Sequence, residues 1–208
     1  GQDLRYSFHP NGIDEEFLHY DSGYILKKDK SAKIKLTYTG NIGEGQGLER
    51  IVPQIAQKYT NIEFFIIGDG GRKKALQDCS ADLQNVRLIN PVSRQDLIKY
   101  YEETDFLFLQ LNDYEAFKKV LPSKIFEYAA TYKPIIAGVD GYARDFVAAH
   151  LPDSLIYKPC DFHDFCRKYD NFDGFVDSEN RKKFIQKFSR QRIMLEMGKD
   201  FLGIIRSK

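Results

Sequence analysis

Short apolar runs alternate with amphipathic stretches along most of this chain. Ile34-Lys35-Leu36-Thr37-Tyr38-Thr39 is β-branched and aromatic and stops at Gly40, the pattern of a strand. Leu48, Ile51, Val52, Ile55 and Ala56 then recur at helical spacing. A second apolar run, 62–67, ends in Gly68-Asp69-Gly70-Gly71, and a polar helix around 72–82 leads to a short strand at 86–89. Ser93 reads as a helix N-cap, with Asp96 three residues on and a helix through Tyr101. Phe106-Leu107-Phe108-Leu109 is a buried strand, 123–131 a helix, and Pro134-Ile135-Ile136-Ala137 the strand after it. A helix near 142–149, a strand at 154–157 and two further helices close the pattern. The last is expected to run unbroken from about 179 to 205, carrying Phe184, Ile185, Phe188, Met194, Leu195 and Leu202.

Strands that are near-continuous apolar runs, alternating with helices, imply parallel strands covered on both faces. The expected fold is α/β, a Rossmann-like doubly wound parallel sheet over residues 33–178. In such folds sites sit at the carboxyl ends of the strands. Residues 1–32 are weakly periodic, with a His9-Pro10-Asn11-Gly12 turn and the charged run Lys27-Lys28-Asp29-Lys30, and read as a solvated linker and extension. Residues 179–208 read as a separate C-terminal helix.

Composition narrows the function classes. The chain has 208 residues, enough for a sizeable core, and 42% hydrophobic content is ordinary for a globular domain. Lys+Arg 31 against Asp+Glu 30 leaves a net charge of +1, so no global field argues for nucleic acid. Three cysteines without C-x-x-C spacing (Cys79, Cys160, Cys166) read as free thiols in a reducing compartment. No run approaches the roughly 20 apolar residues of a membrane span. Gly1-Gln2-Asp3-Leu4-Arg5-Tyr6 lacks the build of a signal peptide, and with no initiator Met the chain is expected to be part of something longer.

Three loops at strand ends can carry chemistry. Gly40-Asn41-Ile42-Gly43-Glu44-Gly45-Gln46-Gly47 has four glycines in eight residues and precedes a helix whose free N–H groups suit an anion. Its spacing is neither G-x-G-x-x-G nor a P-loop, which disfavours a dinucleotide or ATP site. A plain flexible turn is the other reading. Gly68-Asp69-Gly70-Gly71 is the second loop, equally readable as turn chemistry. In the third, Pro122 and Ser123 are expected to start a helix that sets Lys124 and Glu127 at i, i+3 on one face. A lysine in a first turn opposes the helix dipole unless it meets an anion there; an ordinary surface ion pair is the bland alternative. The four histidines form no metal-like cluster.

Together these segments resemble the C-terminal domain of family 4 glycosyltransferases of the GT-B fold. The markers are Pro10-Asn11-Gly12-Ile13-Asp14, Thr39-Gly40-Asn41-Ile42-Gly43 with Gln46-Gly47-Leu48-Glu49, Ile67-Gly68-Asp69-Gly70, and Leu121-Pro122-Ser123-Lys124-Ile125-Phe126-Glu127-Tyr128 with Lys133-Pro134-Ile135-Ile136-Ala137. The Gly-Asn-Ile-Gly and Leu-Pro-Ser-Lys variants look most like the branch with bacterial N-acetylfucosaminyltransferases of surface-polysaccharide synthesis.

The resemblance implies a retaining transferase whose N-terminal domain holds the acceptor and whose C-terminal domain holds a nucleotide sugar, UDP-linked by family preference. Glu127 takes the place of the second Glu in the family's E-x7-E signature, which holds the ribose; the first position is Lys119. Where the family commonly has Arg and Lys for the diphosphate, this sequence has Asn41 and Gln46. Backbone amides of the glycine loops and Lys124, with Lys119 next, would then meet the phosphates, and Leu121, Pro122 and Ser123 would line the donor. The segment with Pro91 and Val92 lies where family backbones meet the base. No cofactor or metal is expected. The last helix would cross back to the N-terminal domain, so this portion alone would bind nucleotide and transfer nothing. The expected location is the cytoplasm, with the inner face of the plasma membrane reached through the N-terminal half. A non-catalytic Rossmann-like binding or interaction domain and half of a nucleotide-sugar epimerase are the rival readings.

Overall fold

The computed structural model describes residues 7, 9–18 and 32–206; the charged run at 27–30 lies outside them. Six strands, β1 (Ile34–Asn41), β2 (Ile62–Asp69), β3 (Val86–Ile89), β4 (Phe106–Gln110), β5 (Ile135–Gly138) and β6 (Leu155–Tyr157), form one parallel sheet in the order β3-β2-β1-β4-β5-β6. The winding reverses between β1 and β4, and a doubly wound sheet opens its ligand crevice at that reversal.

Period-two alternation in β4 shows why the sheet is covered twice. Phe106 and Phe108 join the cluster formed by β1, β2 and the helices α1 (Leu48–Lys58) and α6 (Phe162–Tyr169). Leu107 and Leu109 point the other way, into a cluster with α3 (Arg94–Glu103), α4 (Lys124–Ala130), α5 (Gly141–His150) and α7 (Ser178–Phe188). All five β4 residues are buried, as a central parallel strand requires. Each such Leu or Phe contributes roughly 1.5–3 kcal/mol by leaving water, and together they make the sheet a rigid base for the loops at its carboxyl edge.

The expected elements are present with shifted ends. The helix expected at 72–82 is α2 (Lys73–Cys79), and an unanticipated 3₁₀ turn, Glu115–Lys119, follows β4. Ser93 caps α3, its side chain accepting from the Asp96 N–H. Ser123 does not cap α4: its backbone is helical and its side chain makes no capping bond.

The long final helix is a correction. It breaks at Ser189, which is extended (φ −61°, ψ 138°), into α7 and α8 (Arg190–Arg206). The N-terminal segment causes the break. Ile13 pairs with Ser189 as a parallel bridge, donating to Phe188 O at 2.8 Å, while Arg190 N–H donates to Ile13 O at 2.9 Å. Two helical hydrogen bonds are thus exchanged for bonds to a strand-like segment. Gly12 (φ 73°) permits the close approach, since a Cβ there would stand 2.9 Å from Phe188 O. Arg94 and Arg190 clasp the same segment through Asp14.

Among the described residues no helix is long and apolar enough to cross a membrane, and all three cysteines are free thiols.

Candidate functional site at the β1–β4 rim

The site is built outward from Thr39, buried near the end of β1. Its N–H donates to Tyr128 Oη at 2.9 Å, and its Oγ1 lies 2.7 Å from Tyr101 Oη and 3.1 Å from Tyr128 Oη. Tyr101 donates in turn to Glu127 Oε1. Burial pushes the phenols of Tyr101 and Tyr128 well up, so both keep their protons. With Tyr101 committed to Glu127, Thr39 Oγ1 donates to Tyr101 and Tyr128 donates to Thr39. That one-way chain from α4 through β1 and α3 fixes a carboxylate oxygen at the strand end.

Lys124 completes the pair, its Nζ lying 3.0 and 2.9 Å from the two oxygens of Glu127. The i, i+3 spacing therefore produces a real contact, and the anion that the first-turn lysine needed is Glu127 itself. The two side chains are 30% and 16% exposed, which is accessible enough for a ligand to reach either. A Cβ at Gly40 would lie 4.0 Å from Lys124 Cε, so the lysine stem runs beside the start of the glycine loop.

Glycines at the β1 and β2 ends interlock. A Cβ at Gly68 would stand 1.8 Å from Gly40 O, and one at Gly70 2.5 Å from Ile42 O, so neither position tolerates a side chain. Ile42 N–H donates to Asp69 O at 2.8 Å, and Arg72 N–H to Ile42 O at 2.9 Å. Asn41 and Gln46 face one another rather than a common outside point. Asn41 Nδ2 donates to Gln46 Oε1 at 3.2 Å, and the same oxygen takes the Gly43 N–H at 3.1 Å. Asp69 is exposed, its carboxylate accepting from the next residue's N–H, Gly70, at 2.9 Å.

Residues 33–171 match the family model described as glycosyl transferases group 1. The chain belongs to the group 1 glycosyltransferases. Solved structures agree at the level of fold. The Anabaena Alr3699/HepE protein in complex with UDP-glucose superposes with a TM-score of 0.72 at 15% identity, over 94% of this chain and 57% of that one. A Rickettsia africae ESF-5 glycosyltransferase gives 0.71 at 15%, over 95% and 57%. The lipopolysaccharide outer core galactosyltransferase WaaB in its apo form gives 0.71 at 16%, over 97% and 56%. This group 1 glycosyltransferase chain thus spans little more than half the length of the structures it resembles. No curated protein matches it.

The remaining expected residues fall at different distances from the pair. Leu121 and Pro122 are half-buried just before α4, with Ser123 exposed between them and Lys124. Lys119 is exposed on the 3₁₀ turn, and no hydrogen bond or ion pair joins it to Lys124 or Glu127. Pro91 and Val92 lie on the β3–α3 loop, which Lys73 of α2 reaches, a contact that no signal in the sequence marks. Its Nζ donates to Gly68 O at 3.0 Å and to Asn90 Oδ1 at 2.7 Å, tying the β2 and β3 ends together. Gly45 and Gly47 pack against the far wing of the rim: a Cβ at Gly45 would stand 2.7 Å from Phe117 Cζ, and one at Gly47 (φ 58°) 3.0 Å from Asn112 Cγ.

Beyond that wing lies a cavity of about 530 Å³ below the ends of β4, β5 and β6, lined among others by Asp113, Tyr114, Asp140, Arg144 and Lys158. It contains neither Lys124 nor Glu127. The charges there are largely paired, as in Arg144 with Asp140 and Lys118 with Glu115. The Lys124–Glu127 rim is instead an open shelf at the sheet reversal, which is where the fold puts ligands. Among the described residues no three His, Cys, Asp or Glu side chains converge as a metal site needs.

Proposed function

We propose that this chain is the donor-binding half of a retaining glycosyltransferase that moves a sugar from a UDP-linked donor to a lipid- or saccharide-linked acceptor in surface-polysaccharide synthesis, in the manner of N-acetylfucosaminyltransferases. One observation carries the reading: a carboxylate held by a buried hydrogen-bond chain, with an ammonium paired to it, stands at the reversal of a parallel sheet beside glycine-freed amides. Family membership adds the reaction class, and the HepE structure with UDP-glucose adds the ligand class. Retention, the acceptor and the N-acetylfucosaminyl branch rest on the sequence resemblance alone.

In this reading Glu127 grips the ribose hydroxyls, with Tyr101 setting its orientation. The developing charge on the leaving diphosphate is met by Lys124 and by amides at the N-terminus of α1, which carries the positive end of a helix dipole. Nothing in this step calls for a metal. The base sits over the β3–α3 loop at Pro91 and Val92. Asn41 and Gln46, bonded to each other, shape the loop, and Lys119 is free to approach the sugar.

An N-terminal domain would supply the acceptor site and the second wall of the cleft. The exposed face of α8 supports such a neighbour: Met194, Leu195, Met197, Phe201 and Leu202 are 46–67% exposed and lie along one side of the helix. The enzyme would work in the cytoplasm at the inner face of the plasma membrane.

Isothermal titration calorimetry with UDP tests the site. The wild-type chain should bind, and Glu127→Ala should lose about tenfold or more, the scale of a hydrogen bond to a charged group. Equal affinities would remove Glu127 from the ribose role.

A further inference from the structure

Asn112 stands two residues past β4 and is 2% exposed, against Gly47 and against Arg50 of α1, a helix whose apolar residues pack in the core cluster opposite that of α4. Its backbone N–H donates to Gly45 O at 2.7 Å, and its side-chain Nδ2 donates to Glu44 O at 2.7 Å. The opposite end of the amide is fixed as well. Oδ1 accepts from the Asp113 N–H at 2.9 Å and from the Arg50 guanidinium. Arg50 and Asp113 can only donate to this oxygen, so the amide has one allowed orientation, with its N–H groups toward the loop. Gly47 gives the side chain its room.

Two successive peptide carbonyls of the loop are therefore held from one side. In a trans peptide the N–H points opposite to the carbonyl, and every described peptide here is trans. The N–H that shares a peptide with Glu44 O belongs to Gly45, so it points away from Asn112. The next N–H, of Gln46, donates back to Gly43 O at 3.2 Å. Among the described residues nothing accepts from the Gly45 N–H. It is a donor held in one direction without a protein acceptor, three residues before the first helical residue of α1.

We infer that Asn112 is a positioning residue that aims the Gly45 amide at the leaving diphosphate of the donor. The inference rests on the donor-site reading above and adds a residue that no part of that reading uses. Asn is required because the position must donate to one carbonyl while accepting from a guanidinium. Asp offers no donor, and Ala leaves the 44–45 peptide free to turn.

The experiment compares UDP with uridine, which has the base and ribose but no phosphate, by NMR titration of the wild-type chain, Asn112→Ala and Asn112→Asp. Asn112→Asp keeps the oxygen that serves Arg50 and Asp113 and so guards against simple loss of fold, which is checked by the melting temperature without ligand. UDP affinity should fall about tenfold or more in both variants, while uridine affinity stays within about twofold. Unchanged UDP affinity in either folded variant would overturn the positioning role. A parallel loss of UDP and uridine would overturn it too, because Asn112 would then serve the fold as a whole. Failure of the wild-type chain to bind UDP at all would instead sink the donor-site reading itself.

Discussion

Lys124 and Glu127 neutralise each other in the unliganded site, and the proposed ligand asks them to separate, one to the phosphates and one to the ribose. The pair keeps some solvent access, at 30% and 16% exposed, which screens it in part, and a ligand that offers phosphate to one and hydroxyls to the other replaces what it loses while the tyrosine chain keeps Glu127 in place. Asp164 shows what a buried carboxylate looks like when its role is structural. Burial works to raise it, but hydrogen bonds from Arg167, the Lys158 N–H and Lys168 outweigh that and hold it at about 2, against an ordinary 3.8. A carboxyl lowered in the folded state adds stability above its unfolded value, and that gain fades as pH falls toward 2. In urea unfolding, Asp164→Asn should be less stable than wild type by on the order of 2 kcal/mol near pH 6. The difference should shrink toward zero near pH 2; a gap that does not change with pH would contradict the assignment. Lys124, Glu127 and the glycines are legible in the sequence because strand ends and helical spacing are visible in one dimension. Thr39, Tyr101, Tyr128 and Asn112 were not legible as site residues. They act by meeting across 62 to 89 positions of chain, as in the Thr39–Tyr101 and Thr39–Tyr128 contacts.

Among the elements, α7 is held to the body by a charge that has no access to water. Arg181 and Asp153 are 0% and 3% exposed, with Nε 3.0 Å from Oδ2, and the same carboxylate oxygen accepts from the Asp177 N–H at the start of α7. Removing one member leaves the other buried and unpaired, which costs about 3–5 kcal/mol. Asp153→Ala should therefore lower the unfolding free energy read from urea denaturation by that amount; a loss under about 1 kcal/mol would mean the pair does not dock the helix. The strands and their order along the chain were readable because central parallel strands are nearly all apolar, as 106–109 is. The break at Ser189 was not, because Phe184, Phe188 and Ile193 keep an apolar face across it and the cause is a segment 176 residues away, at Ile13. The 3₁₀ turn at Glu115–Lys119 was hidden for a similar reason: its sequence is polar, and Phe117 is fixed by packing on Gly45.

For the whole molecule, the carboxyl edge of the sheet has two candidate regions, the open shelf at β1–β4 and the cavity under β4–β6. The proposed function belongs to the shelf, with the apolar side of α8 turned to a neighbouring domain. Amide-resolved NMR of the chain titrated with UDP separates the two regions in one measurement. The account predicts that the largest shifts fall on Gly40, Gly43, Gly45, Lys124 and Glu127, with a second group at Val92 on the base loop. Shifts centred on Asp140, Lys158 and their neighbours, with the β1–β4 rim unmoved, would contradict it.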